Sequence, residues 1–339
     1  MTRVLIISAS EDTHARAIAK EVVRCGGNAE IIDFATLGSA RSVAHRVKPT
    51  GRSRRLIRES ADRVIDLDGV TSVWWRRPRQ VALPDILASA SDRRFAAREW
   101  ASTLTSLFDR SVLRIVNDPH AEAKCAKPLQ LEAARAVGIS VPDTIITSDS
   151  AEAKAFVEAH HGNVVTKALN SPEVGVVDTR LWDSVCEAAI NDLVFAPTIF
   201  QERVAGPADL RITVVGTEVF AASAADDGHG SPIDSRLDLD REWSAPRLGD
   251  SAVCQIRELM HRLGLRMGVL DFKLRDSGEL VFLEVNPQGQ WLFVEILTGM
   301  KIAAAVADLL MNSGEGRRES GPSVRSATTT APHAAESAP

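Results

Sequence analysis

The chain has 339 residues, 45% hydrophobic and 25% charged, with a net charge of -5. This is enough apolar material for about two to three structural units. The charge is too mild to name nucleic acid as a partner, and no run of roughly 18 apolar residues is present to span a membrane. Cys25, Cys125, Cys186 and Cys254 form no C-x-x-C pair, so neither a zinc site nor a disulfide framework is indicated. The N-terminus lacks a signal-peptide pattern, and a cytoplasmic chain with buried thiols is expected.

Residues 3–8 read as a buried strand, followed by a helical pattern through Val23 and an apolar run from Ala29 to Phe34, an alternation that predicts an α/β layer. Arg54 to Val73 predicts three short strands. A helix over about 92–109 carries Trp100, Leu104 and Leu107 at helical spacing. A strand at 112–116 ends at Asn117-Asp118-Pro119, where a first boundary is placed. Helices follow at about 121–136 and 150–160, then a strand at 164–167, a helix at about 181–193, and strands near 198–204, 209–215 and 218–224. Residues 225–248 are polar and predict a long loop. A helix near 251–263, strands at 266–274 and 279–285 around the turn Asp276-Ser277-Gly278, and a helix at about 300–312 complete the pattern. The organisation expected is 1–118, 119–200, 201–312, and a Ser-, Ala- and Pro-rich tail, 313–339, expected to be disordered.

The last two strands carry the chemistry. Asp271 lies inside the apolar run G-V-L-D-F-K-L, and Glu284 and Asn286 lie in V-F-L-E-V-N-P. Strand alternation puts Glu284 and Asn286 on one face. The face of Asp271 depends on the register, which the sequence leaves open. Two carboxylates and an amide oxygen are hard ligands suited to magnesium on nucleotide phosphates. The alternative is a polar stripe on a half-exposed sheet, against which stands the cost of burying unpaired carboxylates.

The pattern D-F-K-L followed by F-L-E-V-N-P resembles the ATP-grasp superfamily. The resemblance implies an α/β (α+β) ATP-grasp fold behind an N-terminal Rossmann-like pre-ATP-grasp domain, with Asp271, Glu284 and Asn286 holding magnesium on ATP. Lys127, in A-K-P-L-Q-L-E, matches the first phosphate lysine, with Lys124 a near alternative, and Lys167 after V-V-T matches the second. Gln201, Glu202 and Val204 match the adenine-reading hinge, Asp209 the ribose-side acid, and Arg211 an arginine reaching the transferring phosphoryl group. The loop after Lys167, N-S-P-E-V-G, departs from the glycine-rich flap usual in the superfamily.

V-W-W-R-R-P at 73–78, N-P-Q-G-Q-W at 286–291, I-D-S-R at 233–236 and D-R at 240–241 resemble, more narrowly, the ATP-grasp maturases of ribosomally made peptides, the graspetide synthetases. That resemblance implies a ligase that activates Glu or Asp side chains of a precursor peptide as acyl phosphates. Ser or Thr hydroxyls, or Lys amines, then close macrocyclic esters or amides. The implied partner has a leader and a Thr-, Ser-, Glu- and Asp-rich core, and a homodimer is implied. Arg236 is a catalytic candidate beside Arg211. Arg241 and Trp291 are substrate-binding candidates, Trp291 reading equally as a core residue. The other reading is a ligase adding an amino acid to a protein tail or small acid, as glutamate ligases and glutathione synthetases do.

Overall fold

Val4, Leu5, Ile6 and Ile7 are all but inaccessible to solvent, the pattern of a strand covered on both faces. The computed structural model describes residues 2–38, 41–51, 54–58, 64–108, 113–169, 179–225 and 242–312. The opening run is β1 (Arg3–Ile7), followed by α1 (Thr13–Arg24) and β2 (Asn28–Ile32). Asp12 caps α1 by accepting from the N–H groups of His14 and Ala15, at 2.8 and 3.2 Å. Its buried positions His14, Ala15, Ile18 and Val22 follow helical spacing.

β3 (Ser42–Arg46), β4 (Arg54–Arg58) and β5 (Val64–Asp66) form a small antiparallel sheet. Then come β6 (Ser72–Trp75), α2 (Ala90–Leu107) and β7 (Arg114–Val116). The parallel sheet runs in the order β2-β1-β6-β7. The three strands expected from Arg54 to Val73 therefore divide between two sheets, and β3 was not foreseen.

The predicted helix at 121–136 is two helices, α3 (Pro119–Lys124) and α4 (Lys127–Ala136), parted at Cys125-Ala126. Pro128 lies in the first turn of α4, where its missing N–H costs nothing. β8 (Thr144–Thr147), α5 (Ser150–Ala159), β9 (Val164–Lys167), β10 (Arg180–Leu181), α6 (Ser184–Ala188) and β11 (Thr198–Glu202) follow. Their antiparallel sheet has the order β10-β9-β11-β8. The expected helix at 181–193 is shortened to α6 plus a 3₁₀ segment, Ile190–Phe195. β11 runs unbroken to Glu202, so a division at 200/201 would cut a strand.

The last sheet is built from β12 (Ala208–Val215), β13 (Glu218–Ala225), β14 (Trp243–Ser244), β15 (Met267–Leu274) and β16 (Leu280–Asn286), with α7 (Asp250–Arg262) between β14 and β15. It is antiparallel, in the order β14-β13-β12-β15-β16. One face packs Leu210, Ile212, Leu270, Phe272 and Phe282 against α4 and α7. The other carries the candidate site and, beside it, meets α8 (Leu292–Thr298) and α9 (Ile302–Met311).

α9 joins the two ends of the chain. Ile302, Val306 and Leu310 share one core with Val4, Ile6 and Trp74 of the parallel sheet and with Val215 and Val269 of the last one. Ser72 Oγ donates to Leu310 O at 2.6 Å, and Arg114 to Leu309 O at 3.2 Å. Among the described residues no helix is long and apolar enough to cross a membrane. Cys25 and Cys254 are exposed, against the expectation of buried thiols.

Candidate active site

The register settles the face of Asp271. It stands opposite Glu284 across β15 and β16, and Val269 stands opposite Asn286. Opposed residues of an antiparallel pair share a face, so both carboxylates and the Asn286 amide share one side of the sheet. Strict alternation along V-F-L-E-V-N would have put Phe282 on that side too. A register shift beside Asp271 brings Phe282 opposite Phe272, making Leu283 the extra residue. Phe282 and Val285 then enter the core together, while Glu284 and Asn286 face the site.

Cations surround this trio. Arg211 is opposite Asp271 on β12 and donates to its Oδ1 at 2.7 Å. The same guanidinium, nearly buried, donates to Gln290 O from Nε and Nη2, at 3.1 and 2.9 Å. At the start of α4, Lys127 places Nζ 3.4 Å from Glu284 Oε2 and 3.1 Å from Ala168 O. At the end of β9, Lys167 is held below its usual pKa. Burial is the main cause, the Lys127 charge adds to it, and Glu284 and Asp271 oppose it. Three separate elements thus bring their cations to one pair of carboxylates.

The donor set suits a hard divalent cation: two carboxylates and an amide oxygen on one face, with no sulfur or imidazole. Among the described residues no group of three or more His, Cys, Asp or Glu could hold a metal.

The hinge candidates line the far end. Gln201 is buried and donates to Thr144 Oγ1 at 2.9 Å. Glu202 pairs with Arg275 at 2.7 Å, and its N–H donates to Asp143 O. Val204 lies in the open cleft between Glu202 and Asp276. Asp209, opposite Lys273 on β15, meets its ammonium at 3.0 Å. Close packing here demands a glycine: a Cβ on Gly206 would fall 1.8 Å from Leu274 O.

The segment after Asn286 is gripped from two sides. Arg76, at the end of β6, is 1% exposed and donates to Gly289 O at 2.9 Å and to Gln288 O. Arg77 donates to Gln288 O at 3.1 and 3.2 Å. W-W-R-R-P and N-P-Q-G-Q-W, singled out separately in the sequence, are thus in direct contact. Burial and then Arg77 pull the Arg76 guanidinium down to about 10, so it stays charged at neutral pH. His14 Nε2 accepts from the N–H groups of Trp291 and Leu292, both at 3.2 Å, and burial holds its pKa low, consistent with a neutral acceptor. Asn117 donates to Met267 O at 2.7 Å and accepts from Arg266 N and Met267 N, joining the parallel sheet to β15.

Trp291 is corrected here. It is 0% exposed, in the core with Val4, Trp74 and Val294 and edge-on to His14, so it presents no surface to a substrate. Arg236, Arg241, the 170–175 loop, most of the 225–248 loop and the 313–339 tail lie outside the described residues.

Glu122 sits behind the loop and accepts from Gln288 Nε2 at 2.6 Å and Asn117 Nδ2 at 3.3 Å. Burial pushes its carboxyl from 4.5 up to about 7, despite those bonds and the Arg76 charge. The protonated form is therefore favoured by folding. That stabilisation is full below pH 4.5 and is lost as pH rises through 7. Neutral Glu122→Gln should raise the melting temperature more at pH 8 than at pH 5, by up to about 3 kcal/mol of stability. Equal shifts at both pH values would contradict the assignment.

No protein-family model and no curated protein matches the chain. Solved structures do. The macrocyclase MdnC from Microcystis aeruginosa MRC, solved with precursor peptide MdnA, matches with TM-score 0.82 at 24% identity, covering 92% of this chain and 100% of that one. The macrocyclase MdnB from the same organism matches with TM-score 0.78 at 26% identity, covering 91% and 99%. The ATP-grasp ligase PsnB, solved with a phosphomimetic variant of its minimal precursor, Mg and ADP, matches with TM-score 0.73 at 22% identity, covering 91% and 97%. The fold of these enzymes is the fold of this chain.

Proposed function

We propose that this chain, an ATP-grasp carboxylate ligase in fold, uses ATP and magnesium to crosslink a ribosomally made precursor peptide. A Glu or Asp side chain of the peptide attacks the γ-phosphorus and ADP leaves, giving an acyl phosphate. A Ser or Thr hydroxyl, or a Lys amine, then attacks the acyl carbon, loses its proton and displaces phosphate, closing a lactone or lactam. The observation that carries this reading is the opposed pair Asp271 and Glu284, with Asn286 beside them and Arg211, Lys127 and Lys167 around them. The macrocyclase neighbours supply the peptide as substrate class and favour it over amino-acid addition to a small acid.

Asp271, Glu284 and Asn286 would hold magnesium, which when bound offsets the repulsion between triphosphate and carboxylate. Lys127 and Lys167 meet the phosphates as compact charges. Arg211 orients Asp271 and adds positive charge beside the phosphoryl group, and Arg236 is proposed to share that task. Gln201, Glu202 and Val204 hold the base, Asp209 the ribose, and Arg241 the acidic peptide. The proposed units are 1–118, 119–202 and 203–312, in a cytoplasmic homodimer.

The test incubates purified protein with ATP, magnesium and a Thr-, Ser-, Glu- and Asp-rich precursor encoded beside it. Mass spectrometry should show one water lost per crosslink, with ADP released. Intact peptide under saturating conditions sinks the proposal.

A further inference from the structure

β16 is the edge of its sheet, and its outward backbone groups need partners. At Val285, between the ligand candidates Glu284 and Asn286, both are taken by one side chain. Gln130 Oε1 accepts from Val285 N at 2.8 Å, and Gln130 Nε2 donates to Val285 O at 3.0 Å. An amide side chain, donor and acceptor together, here imitates a neighbouring strand. Gln130 is 4% exposed and also donates to Cys125 O at 2.8 Å, tying down the link between α3 and α4. It lies three residues after Lys127, on the same face of α4. No side chain caps α4, so this amide is a polar anchor for its first turn.

We infer that Gln130 is a positioning residue: it locks the Lys127 end of α4 to the strand carrying Glu284 and Asn286, so that phosphate cation and magnesium ligands are presented in one fixed arrangement. The inference rests on the ATP-magnesium reading of the site. Plain filling of buried hydrogen-bond capacity would also place a glutamine here, so the test separates the two.

Gln130→Met keeps the volume and removes all three of its side-chain hydrogen bonds. Gln130→Glu, which keeps an acceptor for Val285 N, replaces it if the methionine variant does not fold. ADP affinity is measured by calorimetry with and without magnesium chloride, and exchange of the 280–286 backbone by mass spectrometry. Partners that orient metal ligands typically change metal affinity roughly 10–100-fold. The variant should therefore bind ADP with magnesium about tenfold more weakly. Its magnesium-free affinity should fall by less, because only the Lys127 contact is then lost, and 280–286 should lose protection. Released protection with unchanged magnesium-dependent affinity overturns the inference. So does an equal loss with and without magnesium, which is general loosening. Wild-type protein that binds ADP no more tightly with magnesium overturns the underlying reading of the site, an outcome visible before any variant is made.

Discussion

Glu284→Gln should lower ATP turnover roughly 10³-fold or more while leaving the protein folded. The two effects separate by magnitude. On the folding side, the substitution removes an ion pair with Lys127 at 3.4 Å whose partners are 28% and 30% exposed, worth at most about 1 kcal/mol. On the chemical side, losing a metal carboxylate forfeits several kcal/mol of transition-state charge stabilisation, and about 4 kcal/mol is a factor of 10³. Asp271 and Asn286 remain but cannot restore the missing charge. ADP release in the peptide assay, beside a melting curve, reads both quantities. Wild-type ADP release by a folded variant would remove Glu284 from the metal site.

Trp291→Ala should cost about 3–5 kcal/mol of stability, the range for a buried tryptophan truncated in a packed core. Typical domains hold 5–15 kcal/mol in total, so the variant should unfold at a clearly lower denaturant concentration than the wild type. Trp291 is fully enclosed and packs where the parallel sheet, α1, α8 and α9 meet. A substitution there loosens the seam between both ends of the chain. Urea unfolding measures the midpoint. An unchanged midpoint accompanied by weaker peptide binding would restore a substrate role for the side chain.

The hairpin of β15 and β16 was legible to within a residue at each end, because apolar runs flanked a clear turn at 276–278. The face of Asp271 was not, since the irregularity at Leu283 leaves no mark in V-F-L-E-V-N. α8 went unseen for a related reason. Its N-terminal N–H groups are satisfied by His14, 277 residues earlier in sequence, and no local cap signals its start. Lys127, Lys167, Arg211 and the trio were legible as residue types in order. Gln130, Asn117 and Arg76 act largely on backbone groups, whose chemistry is the same at every position, so sequence could not name their partners. A polar residue three after Lys127, among apolar neighbours, was the one available hint for Gln130. For Trp291 the sequence left two readings, and burial decides between them.

The grip of Arg76 and Arg77 on Gln288 and Gly289 has a consequence for engineering. A donor's last sheet grafted onto this N-terminal half would bring its own 286–291 turn, while the arginines and His14 that hold that turn would come from the recipient. Gly289 leaves little tolerance for mismatch, since even a Cβ there would lie 2.5 Å from Val269 Cβ. Residues 73–78 and 286–291 therefore form one transplantable cassette in two pieces, and functional hybrids should be those that inherit both from the same parent.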